Sequence, residues 1–379
     1  MSAKKIAVVG VGAMGSMALW QLARRGHDVT GFDRMGVPHD TSAHGAESRI
    51  FRLAYREGAE YIPLLKRSLA LWTELQAGSD RKFHYPIGCL YIGERGADWL
   101  LGTIDGAREH DVRHEVLDEQ ALRNRFPQHR LSGGEFALLD LDGALLRPEL
   151  GVRAAVQAAI AAGATLYQGC GVERVRPGSR GVEITSNGQT QLFDTAVVTC
   201  GAWGARMIEG PSPHFTARRL VGTWFGVDDT AAYLPSRFPV CIRRTSEIDY
   251  SGFPCLDGWT VKIMPPVNYL SDVDPSAVDR TVSYADTAIM RQVAQTLLDG
   301  VDAEPVRSGV YLDGFTADNH PVIDFHPESN RVILAAGFSG HGYKMAPAVG
   351  VAIADLVDTG GDNYIRHHFS VHRPALKAA

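Results

Sequence analysis

Apolar and polar residues along this 379-residue chain follow two periods in turn, and the switches between them mark its elements. Ile6 to Val9 is a short β-branched apolar run that reads as a buried parallel strand. A helix-like segment runs to Arg25, Gly26 stops it, and Val29 to Phe32 reads as a second strand. Helical spacing recurs over 61–76, 99–110, 118–126, 148–162 and 286–298, while strand-like runs fill 83–93, 164–200 and most of 216–263. Val322 to Asp324 and Arg331 to Ala336 return to short apolar strands, and a last helix runs to about Val357. Strands and helices alternate at both ends, with many strands inserted between them. The expected fold is α/β (α+β), with a second, mostly antiparallel β-sheet domain.

The turn after the first strand reads Gly10-Val11-Gly12-Ala13-Met14-Gly15. Its three glycines serve a tight turn, close backbone approach to a pyrophosphate, and close helix–strand packing. The helix start directs free N–H groups and a positive dipole end at the phosphates. Asp33, about 20 residues on, is placed to accept hydrogen bonds from a ribose diol. An acid here disfavours a 2′-phosphate, hence NADP, and leaves FAD and NAD equal on this stretch. A second glycine-rich turn, Gly337-Phe338-Ser339-Gly340-His341-Gly342-Tyr343-Lys344, again joins a strand to a helix start. Such a start can stabilise the negative charge that a flavin gathers on reduction, a need that a nicotinamide dehydrogenase lacks. A meander before 195–200 and the turn Gly201-Ala202-Trp203-Gly204 also lean toward FAD.

Composition narrows the partners. Hydrophobic content of 45% and charged content of 21% are those of an ordinary globular chain, and a net charge of −5 argues against nucleic acid or an anionic membrane. Five cysteines are scattered without CxxC or paired histidines, so they read as reduced core residues rather than a metal site or disulfide frame. No apolar run approaches bilayer length, and the first strand starts within a few residues. A cytoplasmic protein without a secretory signal is expected.

Candidate chemistry sits at three further places. The long connection after Asp33 carries Arg49 and Arg52, whose guanidinia share one side if the segment is helical and are otherwise two solvated arginines. Lys262 lies in a period-2 run, with Thr260 and Met264 on its face and Trp259, Val261 and Ile263 on the other. On sequence alone, solvent is the usual place for such a lysine. Arg243 and Arg244 form a short basic pair near it.

Three stretches are distinctive: HGAESRIFRLAYREGAEYIPL, TCGAWG and HPVIDFHPESNRVILAAGFSGHGYKMAPAVG. With them the chain resembles, over nearly its whole length, the monomeric sarcosine oxidase and N-methyltryptophan oxidase family of D-amino-acid-oxidase-like flavoproteins. The resemblance implies a Rossmann-like FAD-binding domain over 1–80, 145–215 and 305–379, and a substrate domain over 81–144 and 216–304. It implies cofactor contacts from Gly10, Gly12, Ala13, Met14, Gly15, Asp33 and Arg34. To these it adds Ser42, His44, Ser48, Arg49, Val172, Gly201 and Trp203, then Gly337, Phe338, Gly340, His341, Gly342, Tyr343 and Lys344. Arg49 would pack on the flavin face, and Lys262 on the other face would activate O2. Arg52 and Lys344 would clamp the substrate carboxylate and fix its Cα–H over the flavin. Tyr311 would flank the substrate.

Departures from the family pattern alter the expectation. The family's flavin-attachment cysteine would fall at Gly309, which has no side chain for a thioether, so FAD is expected to be non-covalent. Ser251 stands where an active-site tyrosine is common, and an expected histidine falls in Met264-Pro265-Pro266. The pocket is therefore rebuilt away from sarcosine, and Arg243 or Arg244 would add positive charge for a larger substrate. The expected enzyme is a metal-free, monomeric oxidase of the secondary amine of an N-substituted amino acid, with O2 reduced to hydrogen peroxide. Without the tyrosine and histidine no side-chain base is evident, which fits loss of the amine proton on binding. Alternatives are a fructosyl-amino-acid oxidase, a cyclic imino acid oxidase or dehydrogenase, a non-catalytic flavin binder and, in another class, an NAD-dependent dehydrogenase.

Overall fold

The computed structural model describes residues 2–204, 206–208, 214–266, 269–361 and 363–376, and opens with β1 (Lys5–Val9), α1 (Ala13–Arg24) and β2 (Asp28–Phe32). β1 lies inside a six-stranded sheet ordered Val322–His326, Ser329–Ala336, Thr195–Val198, β1, β2, Thr165–Tyr167. Every neighbouring pair is parallel except the first, which is antiparallel. Both faces are covered, which explains the unbroken apolar runs. Ile6 and Val8 join the core shared with the helices, whereas Ala7 and Val9 pack with Val175, Val182 and Ile184 of the three-stranded meander over 172–193. Chain order reverses beside β1, so the carboxyl ends of β1 and Thr195–Val198 open a crevice.

The second sheet has nine strands. Eight run in the order Ser271–Asp272, Thr216–Val227, Thr260–Met264, Asp249–Phe253, Val240–Arg244, Cys89–Glu94, Glu135–Asp140, His114–Leu117, and Val301–Phe315 also pairs with Thr216–Val227. Only the Val240–Arg244 and Cys89–Glu94 pair is parallel. Hydrogen bonding thus puts 305–315 in this sheet, whereas the sequence grouped it with the nucleotide-binding segments. One face packs on the helix Tyr284–Leu297, whose start is a reciprocal Ser283–Asp286 capping box. The opposite face looks toward the crevice of the first sheet. A small third sheet joins Arg49–Phe51, Ala144–Leu146 and His84–Tyr85, so the segment carrying Arg49 is a strand and the helical condition on the Arg49–Arg52 pair fails.

Arg243 does not enter the pocket. Strand alternation turns Ile242 and Arg244 toward the crevice and sends Cys241 and Arg243 into the opposite layer. There Arg243, with none of its surface exposed, makes a bidentate pair with Glu135 at 2.8 Å through Nε and Nη2, and Nη2 also donates to Arg130 O at 2.9 Å. Removing one partner leaves an unpaired buried charge. Glu135→Ala should therefore cost about 3–5 kcal/mol in denaturant unfolding. A cost below about 1 kcal/mol, the range of exposed pairs, would show that Arg243 escapes to water.

Candidate active site

Between the two sheets lies a cavity of about 960 Å³. The first glycine turn forms one end of it. Gly10 has φ +84°, and a Cβ there would stand 2.9 Å from Thr199 O; a Cβ on Gly15 would stand 1.9 Å from Gly10 O. Gly15 thus serves α1 packing beneath the turn and does not line the cavity, while Gly10, Gly12, Ala13 and Met14 do. The Asp33 carboxylate accepts from Val11 N at 2.8 Å and Met35 N at 2.9 Å, which fixes it at the crevice edge. Arg34 stacks over Trp203, and Val172, Gly201, Ser42 and His44 complete this wall. His44 Nε2 and Trp203 Nε1 are buried without a partner, two orphaned polar atoms on residues that line the cavity. Burial, with Arg49 and His39 nearby, pushes the His44 pKa down to about 3, so its ring is neutral.

The second glycine turn closes the opposite wall. Gly337, Phe338, Gly340, His341, Gly342, Tyr343 and Lys344 all line the cavity, ahead of the helix Ala346–Thr359. Asp313 pins this turn by accepting from Gly340 N at 2.9 Å and Gly314 N at 2.8 Å, and burial pushes its carboxyl up to about 6. Arg49 donates to Ala43 O and Ser48 O, each at 2.8 Å. Ser48 itself is behind the wall and contributes only that carbonyl to the neighbouring cations.

Arg52 and Lys344 meet over one aromatic ring. The Arg52 guanidinium lies 4.4 Å from the Tyr55 centroid and the Lys344 ammonium 5.4 Å from it. Arg52 Nη2 donates to Glu57 at 2.6 Å, Lys344 Nζ donates to His341 O at 2.7 Å, and Tyr55 Oη bonds His341 Nδ1 at 2.7 Å. Burial and then the Arg52 charge hold Lys344 well below the usual lysine range. Burial opposes the Arg52 charge too, but Glu57 and the Tyr91 and Tyr55 hydroxyls outweigh it and raise its pKa. Asp140 anchors the next two residues, accepting from Leu53 N at 2.6 Å and Ala54 N at 2.9 Å. Tyr55, Glu57, Asp140 and Asp313 escaped the sequence reading. Glu57 had a signal, a carboxylate five residues from Arg52; the roles of the other three depend on partners distant in sequence, Lys344 and His341 for Tyr55, Leu53 and Ala54 for Asp140, and Gly340 for Asp313.

Lys262 is not a solvent residue. It is 2% exposed, donates to Ala46 O at 2.8 Å and Ser48 O at 2.7 Å, and lies 3.9 Å from the Phe253 centroid. The strand Thr260–Met264 is paired on both edges, and its residues Thr260 to Ile263 are buried on both faces. Burial and then Arg49 hold the Lys262 pKa well below the ordinary value. Phe253 lines the cavity, as do Ser251, Arg244 and Met264-Pro265-Pro266; Lys262 stands just behind this wall. Tyr311 corrects another expectation, because it does not line the cavity. It shares a strand face with Asp313, but the Gly45 loop covers it, a Cβ on Gly45 being 3.0 Å from its ring. Its hydroxyl lies 2.9 Å from where a Cβ on Gly309 would stand.

Residues 5–356 match the family described as FAD dependent oxidoreductase. The chain belongs to that family. It is 32% identical to monomeric sarcosine oxidase from Bacillus sp. (strain B-0618), covering 98% of this chain and 96% of that one. It is 29% identical to N-methyl-L-tryptophan oxidase from Yersinia pestis (strain Pestoides F), covering 92% and 93%. Its fold is shared with NikD, an unusual amino acid oxidase essential for nikkomycin biosynthesis, at a TM-score of 0.83, 22% identity and 98% coverage of both chains. The protein is an FAD-dependent amine oxidoreductase, which closes the nicotinamide alternative. The cavity fits that cofactor. Gly10, Gly12 and the α1 start would take the pyrophosphate, Asp33 the ribose, and the orphaned His44 and Trp203 nitrogens further polar groups.

Proposed function

We propose that the enzyme oxidises the secondary amine of an N-substituted amino acid, consuming O2 and water and releasing an aldehyde, an amine and hydrogen peroxide. One observation carries this reading: Arg52 and Lys344, both buried, share the Tyr55 ring at the cavity wall. A guanidinium fork and an ammonium so placed can hold a carboxylate and, through it, fix the C–H of the N-substituent that is oxidised. FAD, when bound, supplies the two-electron acceptor. The chain's own work is orientation and electrostatics. Arg52 is pre-set by Glu57, and Lys344 by His341 O. Lys262, a cation held by two carbonyls behind Phe253, is placed to favour negative charge as O2 is reduced. Ser251 and Met264-Pro265-Pro266 leave an aliphatic, short-chain wall with room for a substrate larger than sarcosine.

We also infer that FAD is held without a covalent bond. Gly309 offers no sulfur, and the Tyr311 hydroxyl lies in the space that a side chain there would enter. No metal, nucleic acid or membrane takes part, and five unpaired cysteines accord with a reducing cytoplasmic setting. The enzyme is proposed to act as a monomer.

Arg52→Ala should raise the substrate KM about 10- to 100-fold, the worth of a charged hydrogen bond, with flavin content unaltered. Unchanged KM would refute the clamp. Lys262→Met should slow reaction of the reduced holoenzyme with O2 about 100-fold while anaerobic reduction by substrate keeps its rate. An unaltered oxidative half-reaction counts against that role. Acid precipitation of the holoenzyme should leave the yellow colour in the supernatant; colour in the pellet means a covalent link elsewhere.

A further inference from the structure

The cavity holds a second charged cluster beside the carboxylate clamp and joined to it through Glu57. Arg56 and Glu57 follow Arg52 in the loop, while Arg244 and Asp249 face each other as a cross-strand pair. Arg56 Nη1 and Arg244 Nε both lie 3.9 Å from Asp249 Oδ2, too far for hydrogen bonds. Arg56 Nη1 is buried and has no hydrogen-bond partner, and neither has Glu57 Oε2. Two guanidinia therefore converge on one carboxylate without bonding it. Burial raises the Asp249 pKa even with Arg56 and Arg244 beside it.

Charge and spacing define what would complete this cluster. Arg52, Lys344, Arg56 and Arg244 face only Glu57 and Asp249 here, since Asp318 is taken up by Arg373. Cationic side chains outnumber carboxylates at this edge, which favours an anionic group over a neutral one. Arg52 Nη2 and Arg56 Nε share a single oxygen of Glu57, at 2.6 and 3.2 Å, so the two cation sites are near neighbours. Beyond the charged edge the same sheet face is uncharged, with Ile242 and Ser251 about 7 Å along and then Phe253.

Resting on the amine-oxidation reading above, we propose that the substrate is a dicarboxylate. Its α-carboxylate takes Arg52 and Lys344, and a second carboxylate a few carbon atoms away docks between Arg56 and Arg244. That group would give Arg56 Nη1 the acceptor it lacks and displace the weak Asp249 contacts.

The test uses the holoenzyme and reads both binding and turnover. Glutarate and butyrate, which have no amine, are titrated while flavin absorbance is followed; N-methyl-L-glutamate and N-methyl-L-glutamine are compared as substrates. Glutarate should bind about 10- to 100-fold tighter than butyrate, and kcat/KM should favour N-methyl-L-glutamate by a similar factor. Arg244→Met should cut both preferences at least about tenfold; with a half-exposed side chain, its replacement leaves the core intact. Equal binding of glutarate and butyrate, or preferences untouched by Arg244→Met, would overturn the proposal. Oxidation of N-methyl-L-glutamine with no dicarboxylate preference removes the second anion site alone. Selective glutarate binding without oxidation of either amine supports that site and removes the amine chemistry instead.

Discussion

A charged side chain can sit beside a cofactor cavity only if hydrogen bonds replace the water it has lost, and this protein does so for four cations at once. Arg49 is met by the carbonyls of Ala43 and Ser48, Lys262 by those of Ala46 and Ser48, Lys344 by that of His341, and Arg52 by Glu57. Three of the four are held by neutral carbonyls, so their solvation is restored while their charge stays available to a ligand. The loop that supplies most of these carbonyls is strained. Ala46 and Glu47 have φ of 77° and 69°, unusual for residues with a Cβ. Glu47 is held there from several sides: its N–H donates to Glu149 at 2.9 Å, and its carboxylate accepts from Trp224 Nε1 at 2.8 Å and from Arg307 at 2.9 Å.

The two sheets divide the work according to their hydrogen-bond patterns. The parallel sheet brings strand ends together at a change of chain order, where the first glycine turn and Asp33 meet at the crevice. The large, mostly antiparallel sheet presents alternate residues to the cavity and buries the others. Arg243 and Arg244 show what that alternation does. Adjacent in sequence, one locks a core through Glu135 and the other faces the cavity. The strand Val301–Phe315 links the layers, since its Asp313 holds the second glycine turn while its Tyr311 lies under the Gly45 loop.

The two ends of the cavity differ in the kind of charge they carry. At one end, Asp33 is held by backbone N–H groups, and the uncharged His44 and Trp203 present unpartnered ring nitrogens. At the other end, arginines outnumber carboxylates, and Ser251 and Met264-Pro265-Pro266 complete the wall. Recognition by fixed positive charge is what this wall offers.

Local signals were readable from residue order. The glycine turns, the alternation around Lys262 and the helix starts depend on near neighbours, and the folded chain reproduces them. Family resemblance extended that reading to the residues around the cofactor cavity, most of which do line it. The chain's order of residues could not say what covers a given face. Lys262 is buried because residues 46–48 lie against its strand, and Tyr311 is removed from the cavity because Gly45 lies over it. Arg243 is fixed by a glutamate 108 residues away, and Tyr55 joins Arg52 to a lysine from the far end of the chain. Period sets which way a side chain points; its solvation and charge depend on partners that only tertiary packing brings within hydrogen-bond distance.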